Sequence, residues 1–487
     1  MYPSVYEINT RLWLKKFGEG ATFSAIPDQY WIDLKEKGID YIWLMGIWMT
    51  TPSSVAKHCF HPDLVNEYSR VSVNWRPSDI VGSPYAIEDY IVNPSLGSLN
   101  DLNKLKNQIN EIGLRLILDF IPNHFNGDSA LIETHPEIFL QVTEEQYRQD
   151  QFTYFKRGNK FFAHGKDPYF PAWTDTVQLD YASEKTHEFM IKRLSHISAF
   201  CDGVRCDMAM LILPEIFSRT WNMVPLRQNS NNFWVNATAA IKEQKKDFLF
   251  IAEAYWDTEW SLYQMGFDYT YDKKMLDFVE RNQIDDLRRH LTGDSEYQNQ
   301  TVRFIENHDE SRSLTALGET KVKPAAVLFC TLPGMRLHYD GQWSGERIRY
   351  PVQMGTYFSS LSCPCPIQTH LDVSSQPCSC TAAFYEQLLN ITKDEIFKKG
   401  TWKLLQPEAM GHQLIVMQWT YQMRIIIVAI NLGLNLEETT ITQPPGWNAN
   451  RVVDLLSNRS NPNYLTHQGN DLTLKLIPYK ACILESY

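Results

Sequence analysis

Ser98-Leu99-Asn100-Asp101-Leu102-Asn103-Lys104-Leu105-Lys106-Asn107-Gln108-Ile109-Asn110-Glu111-Ile112-Gly113-Leu114-Arg115-Leu116-Ile117-Leu118-Asp119-Phe120-Ile121 reads as a helix followed by a buried strand. Ser98 can cap a helix whose apolar positions Leu99, Leu102, Leu105, Ile109 and Ile112 follow helical spacing, and Gly113 ends it. The nearly continuous apolar run from Leu114 is what a parallel strand buried on both faces requires. The same unit stands upstream, where residues 26–37 read as a helix stopped at Gly38 and Ile39 to Trp48 as the next strand. A first strand is read over Val5 to Leu14.

Downstream the rhythm lapses between Asn126 and Asp180, where Tyr154 to Gly165 suggests a hairpin and Asp167-Pro-Tyr-Phe-Pro-Ala-Trp173 an irregular loop. It resumes with a helix near 183–199 and a strand around Asp207, then strands from Phe248, Phe267, Thr301 and Met335. Eight candidate strands alternating with helices predict an α/β fold of the (β/α)8 barrel type, formed by residues 1–125 and 181–398. Residues 126–180 are expected to form a small domain inserted after the third strand. From about Thr401 the pattern changes to short strands without helices, which predicts a C-terminal, β-sandwich-like antiparallel domain over 399–487.

The polar residues that interrupt these strands gather at one end of each. In Gly203-Val204-Arg205-Cys206-Asp207, Arg205 and Asp207 share a strand face because side chains alternate. Alone, that pair is equally a structural ion pair or part of a site. Asp119, Asn123 and His124 follow the third strand, Glu253 lies in Ile-Ala-Glu-Ala, and Asn307-His308-Asp309 ends the seventh segment. In a barrel, residues at the carboxyl ends of strands converge on the active site. Strict alternation cannot turn both His308 and Asp309 inward, so the strand must end or bend there.

These four regions, in this order, resemble the signature regions of the α-amylase superfamily of retaining glycoside hydrolases, and the inserted and C-terminal β domains also stand where that family has them. The resemblance implies Asp207 as nucleophile, Glu253 as acid/base and Asp309 as stabiliser of the oxocarbenium-like transition state. It implies substrate contacts from Tyr85, His124 and His308, with Arg205 keeping Asp207 ionised and Asp119 orienting Arg205 or serving as a buried structural carboxylate. The implied activity is cleavage of α-glucosidic bonds, α-1,4-glucans or maltooligosaccharides, through a covalent intermediate. An α-glucosyltransferase or phosphorylase using the same intermediate, and a non-catalytic glucan-binding protein, are the alternatives. Several positions depart from the family pattern. Met210-Leu211 stands where many amylases have Lys-His, Gly46-Ile-Trp48 lacks the usual proline, and Gln178 replaces a carboxylate that often binds calcium. No metal or other cofactor is therefore expected. Tyr255, Trp256 and Trp260 are candidates for leaving-group subsites, with plain loop packing as the alternative.

The 487 residues carry a formal net charge of −11, which disfavours nucleic acid and anionic membrane as partners and leaves an oligo- or polysaccharide as the expected one. No basic-then-apolar leader and no membrane-length apolar run is read, so the expected location is cytoplasmic, with oligomeric state open. The nine cysteines are expected to be mostly free thiols. Cys363-Pro-Cys365 and Cys378-Ser-Cys380 leave open zinc, redox or idle thiols.

Overall fold

A computed structural model describes residues 1–223, 232–358, 379–405 and 414–486. Its centre is a closed barrel of eight parallel strands: β1 (Ser4–Asn9), β2 (Tyr41–Met45), β3 (Arg115–Phe120), β4 (Gly203–Cys206), β5 (Leu249–Ala252), β6 (Tyr269–Tyr271), β7 (Thr301–Arg303) and β8 (Met335–Tyr339). Each strand pairs with its sequence neighbour, and β8 closes on β1 through Arg336 opposite Ser4. Crossovers between neighbouring parallel strands wind right-handed as a rule. The helix Leu99–Glu111 begins with a capping box in which Ser98 and Asp101 satisfy each other's backbone N–H groups. Its apolar face, Leu102, Leu105 and Ile109, is fully buried.

Alternation along the strands sorts the core. Tyr6, Ile8, Ile42, Leu44, Leu116, Leu118 and Val204 face the helical layer. Val5, Trp43, Met45, Ile117 and Ile251 belong to the other cluster, on the barrel side. Glu7, Asp119 and Arg205 occupy positions of that inner parity, so charged groups replace apolar ones toward the carboxyl end.

Three strand extents differ from the sequence reading. β1 stops at Asn9, and Thr10–Trp13 turns into a short helix whose Arg11 donates to the carbonyls of Gly46 and Gly82. β2 ends at Met45, because Gly46 adopts a left-handed φ of 79° and its N–H goes to Asp119. β7 ends at Arg303, so Asn307, His308 and Asp309 lie in the loop beyond it, where alternation no longer constrains them.

Between β3 and β4 the strand His124–Asn126 pairs with Thr176–Gln178, and Tyr154–Arg157 pairs with Lys160–Ala163 in a separate hairpin. The loop after β2 carries helices Pro52–His58 and Pro62–Val71, which pack on Tyr350 and Met354 from the loop after β8. At the C-terminus β9 (Thr401–Leu405), β10 (Leu414–Tyr421), β11 (Arg424–Asn431), β12 (Glu437–Thr442), β13 (Val452–Asp454), β14 (Arg459–Ser460), β15 (Leu465–Gln468), β16 (Asp471–Leu476) and β17 (Ala481–Ser486) form two antiparallel sheets. Their orders are β9-β10-β11-β17-β13-β14 and β12-β16-β15.

Cys59, Cys201, Cys206, Cys330 and Cys482 are buried free thiols. Cys363, Cys365 and Cys378 lie outside the described residues, as does the side chain of Cys380. Among the described residues no helix is long and apolar enough to cross a membrane.

Candidate active site

Arg205 is the hub of the site. Its side chain is 1% exposed, and its Nη1 donates to Asp207 Oδ1 at 2.8 Å. Its Nη2 lies 2.8 Å from Glu253 Oε2, an ion pair out of line for a hydrogen bond. The guanidinium sits against the rings of Trp43, Tyr85 and Tyr271, 5.2 to 5.6 Å from their centroids, and its Nε donates to Tyr271 Oη at 3.3 Å. A planar cation boxed by aromatic faces cannot swing away, so both carboxylates are held to one fixed group.

The backbone locks the two carboxylates together. Asp207 N–H donates to Phe120 O, and Glu253 N–H to Cys206 O, so each residue continues its strand by one more rung. Met208 takes a left-handed conformation (φ 41°, ψ 47°), which aims its N–H at Glu253 Oε2, 2.7 Å away. Tyr255 Oη donates to Glu253 Oε1 at 2.9 Å.

Burial pushes the Glu253 carboxyl up to about 7, opposed by the Arg205 cation and reinforced by the nearby Asp207 charge. Burial also raises Asp207, against the pull of Arg205. The sequence reading credited Arg205 alone; desolvation is the larger influence. Two carboxylates on one cation do not ionise independently: Arg205 Nη1 donates to Asp207, while Met208 N–H and Tyr255 O–H donate to Glu253.

Asp309 lies across the site, its side chain 47% exposed, with Oδ2 3.0 Å from His308 Nε2. The same nitrogen is 2.7 Å from Tyr85 Oη, and the Tyr85 and His308 rings stack. His308 Nδ1 is bonded to Glu7 Oε1. Desolvation in the cleft works to raise the Asp309 carboxyl although much of its side chain is exposed, and His308 beside it draws it down to about 2. Arg349 fixes the loop by donating to Asp309 O.

The remaining candidates stand at the edges. His124 is buried, its pKa lowered to about 4 by that burial; its ring meets the Tyr85 carbonyl and lies 5.4 Å from the ring of Trp173. Asp119 accepts from Trp43 Nε1 (3.1 Å) and Gly46 N–H (3.0 Å), so its carboxylate anchors the end of β2 and the tryptophan that backs Arg205. Burial raises it to about 6. Met210 and Leu211 are buried in the short turn of helix that follows Asp207.

Sequence reasoning missed Glu7 and Tyr271. A lone acid in the buried strand Ser-Val-Tyr-Glu-Ile-Asn was the available signal for the first; nothing in the sequence marks Tyr271. Tyr255, expected in a leaving-group subsite or in plain loop packing, is found donating to the Glu253 carboxylate.

At the base of the inserted segment the Gln178 amide faces Asn123, with its Oε1 buried and without a hydrogen-bond partner among the described residues. Gln178 Nε2 donates to Asn123 O (2.9 Å), Asn123 Oδ1 (3.0 Å) and Leu179 O (3.0 Å), so an N–H donor already occupies the oxygens a cation needs. Among the described residues no group of three or more His, Cys, Asp or Glu side chains is arranged to hold a metal.

A parallel barrel with three carboxylates around an arginine at its carboxyl-terminal rim defines the class of (β/α)8 proteins whose site is built from strand ends. The family model "Alpha amylase, catalytic domain" matches residues 31–349, and the chain belongs to the α-amylase family. It is 24% identical over 304 residues to Alpha-amylase 3 of Dictyoglomus thermophilum, a match covering 55% of this chain and 56% of that protein. It is likewise 24% identical over 355 residues to Alpha-amylase MalA of Haloarcula japonica, covering 71% and 44%. The chain thus spans about half the length of these curated relatives. The crystal structure of the maltogenic α-amylase AmyB from Thermotoga neapolitana has the same fold, with a TM-score of 0.69, 22% identity and coverage of 99% and 98%.

Proposed function

We propose that the protein is a retaining glycosidase that cleaves α-glucosidic bonds in α-1,4-glucans or maltooligosaccharides. The observation that carries this is the pair Asp207 and Glu253 on one guanidinium, with the Glu253 carboxyl at about 7. In this reading Asp207 attacks the anomeric carbon while Glu253 passes its proton to the departing glycosidic oxygen, leaving a glycosyl ester on Asp207. Glu253, now a carboxylate, takes a proton from water, whose oxygen attacks the anomeric carbon and frees Asp207. Asp309 and His308 hold sugar hydroxyls and meet the positive charge that develops on the ring.

A cavity of about 620 Å³ opens between Tyr169, Leu213, Arg219, Trp256 and Thr258, lined in part by the segments that follow Asp207 and Glu253 in sequence, and we assign the leaving sugar to it. Tyr169 sets its edge on the Trp256 ring at 4.9 Å, giving the cavity an aromatic corner suited to a sugar face. A cavity of this size also suits a sugar acceptor, which favours transfer as the second reading.

Incubation with maltoheptaose, with and without added glucose or phosphate, tests both. Products with the α configuration and no transfer to the additives are expected for the hydrolase; glucosides of the additive identify the transferase or phosphorylase. Absence of turnover on every α-glucoside overturns the proposal.

We also propose that this machinery needs no calcium, because the Gln178 amide makes the cross-link between the inserted segment and the barrel. The thermal midpoint and the activity should be unchanged by a chelator. A drop of several degrees on chelation overturns this.

A further inference from the structure

Glu7 takes no part in the bond-breaking chemistry above, yet it is a fully buried acid inside the barrel. Its Oε1 is bonded to His308 Nδ1, and its Oε2 has no hydrogen-bond partner among the described residues. A buried carboxylate with one oxygen unsatisfied is costly, so whatever holds it there must be worth more than an ordinary neutral hydrogen bond. The loop beyond β7 supplies that interaction through His308.

The surroundings of His308 favour protons on both of its nitrogens. A neutral imidazole carries one N–H, but both nitrogens of this ring face carboxylates: Nδ1 faces Glu7, and Nε2 faces Asp309 Oδ2 at 3.0 Å. A ring protonated on both nitrogens can donate toward both carboxylates, whereas the neutral ring offers a single N–H. Nε2 also faces Tyr85 Oη at 2.7 Å. With that nitrogen as donor, the tyrosine accepts there, and its own O–H is free to point at a ligand. The ring itself cannot rotate, because Tyr85 stacks on it and Trp43 meets it edge-on at 5.5 Å.

The other charges around the pair act in both directions. Asp119 interacts with His308 from β3, while Arg205 stands beyond the Trp43 and Tyr85 rings and opposes a second cation. Tyr271 on β6 and Tyr339 on β8 are the titratable groups that face Glu7. Glu7 thus faces His308 from inside the barrel, and Asp309 faces it at the rim.

We propose that Glu7 is a positioning residue that holds His308 as a doubly protonated, fixed ring, so that Asp309 and Tyr85 stay aimed at the sugar in the cleavage subsite. Its kinetic part rests on the glycosidase reading; its structural part does not.

Histidine-selective ¹⁵N NMR of the full chain without substrate reads the ring directly. The His308 resonances are assigned by their loss in His308→Gln, one of 13 histidines. At pH 8 the wild-type ring should carry protons on both nitrogens, and Glu7→Gln should return it to the neutral form with one. A neutral His308 in the wild type at pH 8 overturns the proposal without any variant having to fold, and an unchanged doubly protonated ring in a folded Glu7→Gln protein also overturns it. In kinetics, kcat/KM of Glu7→Gln should fall about 10- to 100-fold, and the loss should grow from pH 6 to pH 8 as the ring becomes neutral. A pH-independent loss assigns Glu7 a packing role only. If no α-glucoside is turned over, the NMR result still decides the state of His308.

Discussion

Tyr255 and Asp207 act on Glu253 in opposite senses. A hydrogen bond donated to the carboxylate form stabilises that form, so the Tyr255 hydroxyl holds the Glu253 pKa below what burial and the Asp207 charge alone would give. Glu253 must be protonated to act as an acid, so activity should decline as pH rises through about 7. In Tyr255→Phe this descending limb should move to higher pH by about half a unit to one unit, read from kcat/KM on a maltooligosaccharide. A limb that stays in place removes Tyr255 from the control of this proton. With maltosyl fluoride, whose leaving group needs no proton, Glu253→Gln should retain its first, glycosylating step while Asp207→Asn loses about 10⁴-fold or more in kcat. The residues brought together around Arg205 were visible in the sequence because each interrupts an apolar strand end. Tyr271 and the Glu7 link to His308 were not, since they depend on which elements meet across the barrel rather than on any local pattern, and Tyr255 stood out only as a candidate subsite residue and not as a partner of Glu253.

At the scale of elements, the distance between the ends of β4 and β5 matters because they carry Asp207 and Glu253. Gly203 pairs with Leu249, and a Cβ at Gly203 would stand 2.7 Å from Leu249 Cβ and 2.8 Å from Leu249 O. Real side chains do not approach so closely, so Gly203→Ala must push the two strands apart at their base. An overpacking cost of about 1–3 kcal/mol is expected, with a loss of activity larger than the loss of folded protein, because the carboxylates are displaced from Arg205. Chemical denaturation beside active-site titration separates the two effects; unchanged stability would mean that the strands have room to spare. The alternation of helix and buried strand was legible from periodicity, since Leu102, Leu105 and Ile109 do form the buried stripe. Strand ends were less legible. Apolar residues continue past Asn9 and Met45, and what stops those strands is the Arg11 side chain on two carbonyls and the Gly46 N–H on Asp119, both tertiary contacts.

At the scale of the molecule, the C-terminal sheets are continuous with the barrel core. Along β10 and β11 the side chains alternate between two cores: Leu414, Val416, Ile425 and Ile427 face the second sheet, while Ile415, Met417, Trp419, Ile426 and Val428 join the cluster that includes the helix Ser313–Thr331. Trp419 is fully buried at this junction; its Nε1 donates to Thr331 O at 2.8 Å, and its ring meets Tyr2 and Phe397 edge-on. Tyr2 precedes β1, so one side chain connects the last domain to the start of the barrel. Removing a buried tryptophan costs about 3–5 kcal/mol, and here the cost should fall on both parts at once. Trp419→Ala is therefore expected to lower the thermal midpoint in a single calorimetric transition, with activity lost in step. Two separated transitions, the upper one unchanged and active, would show instead that the barrel folds without its C-terminal sheets.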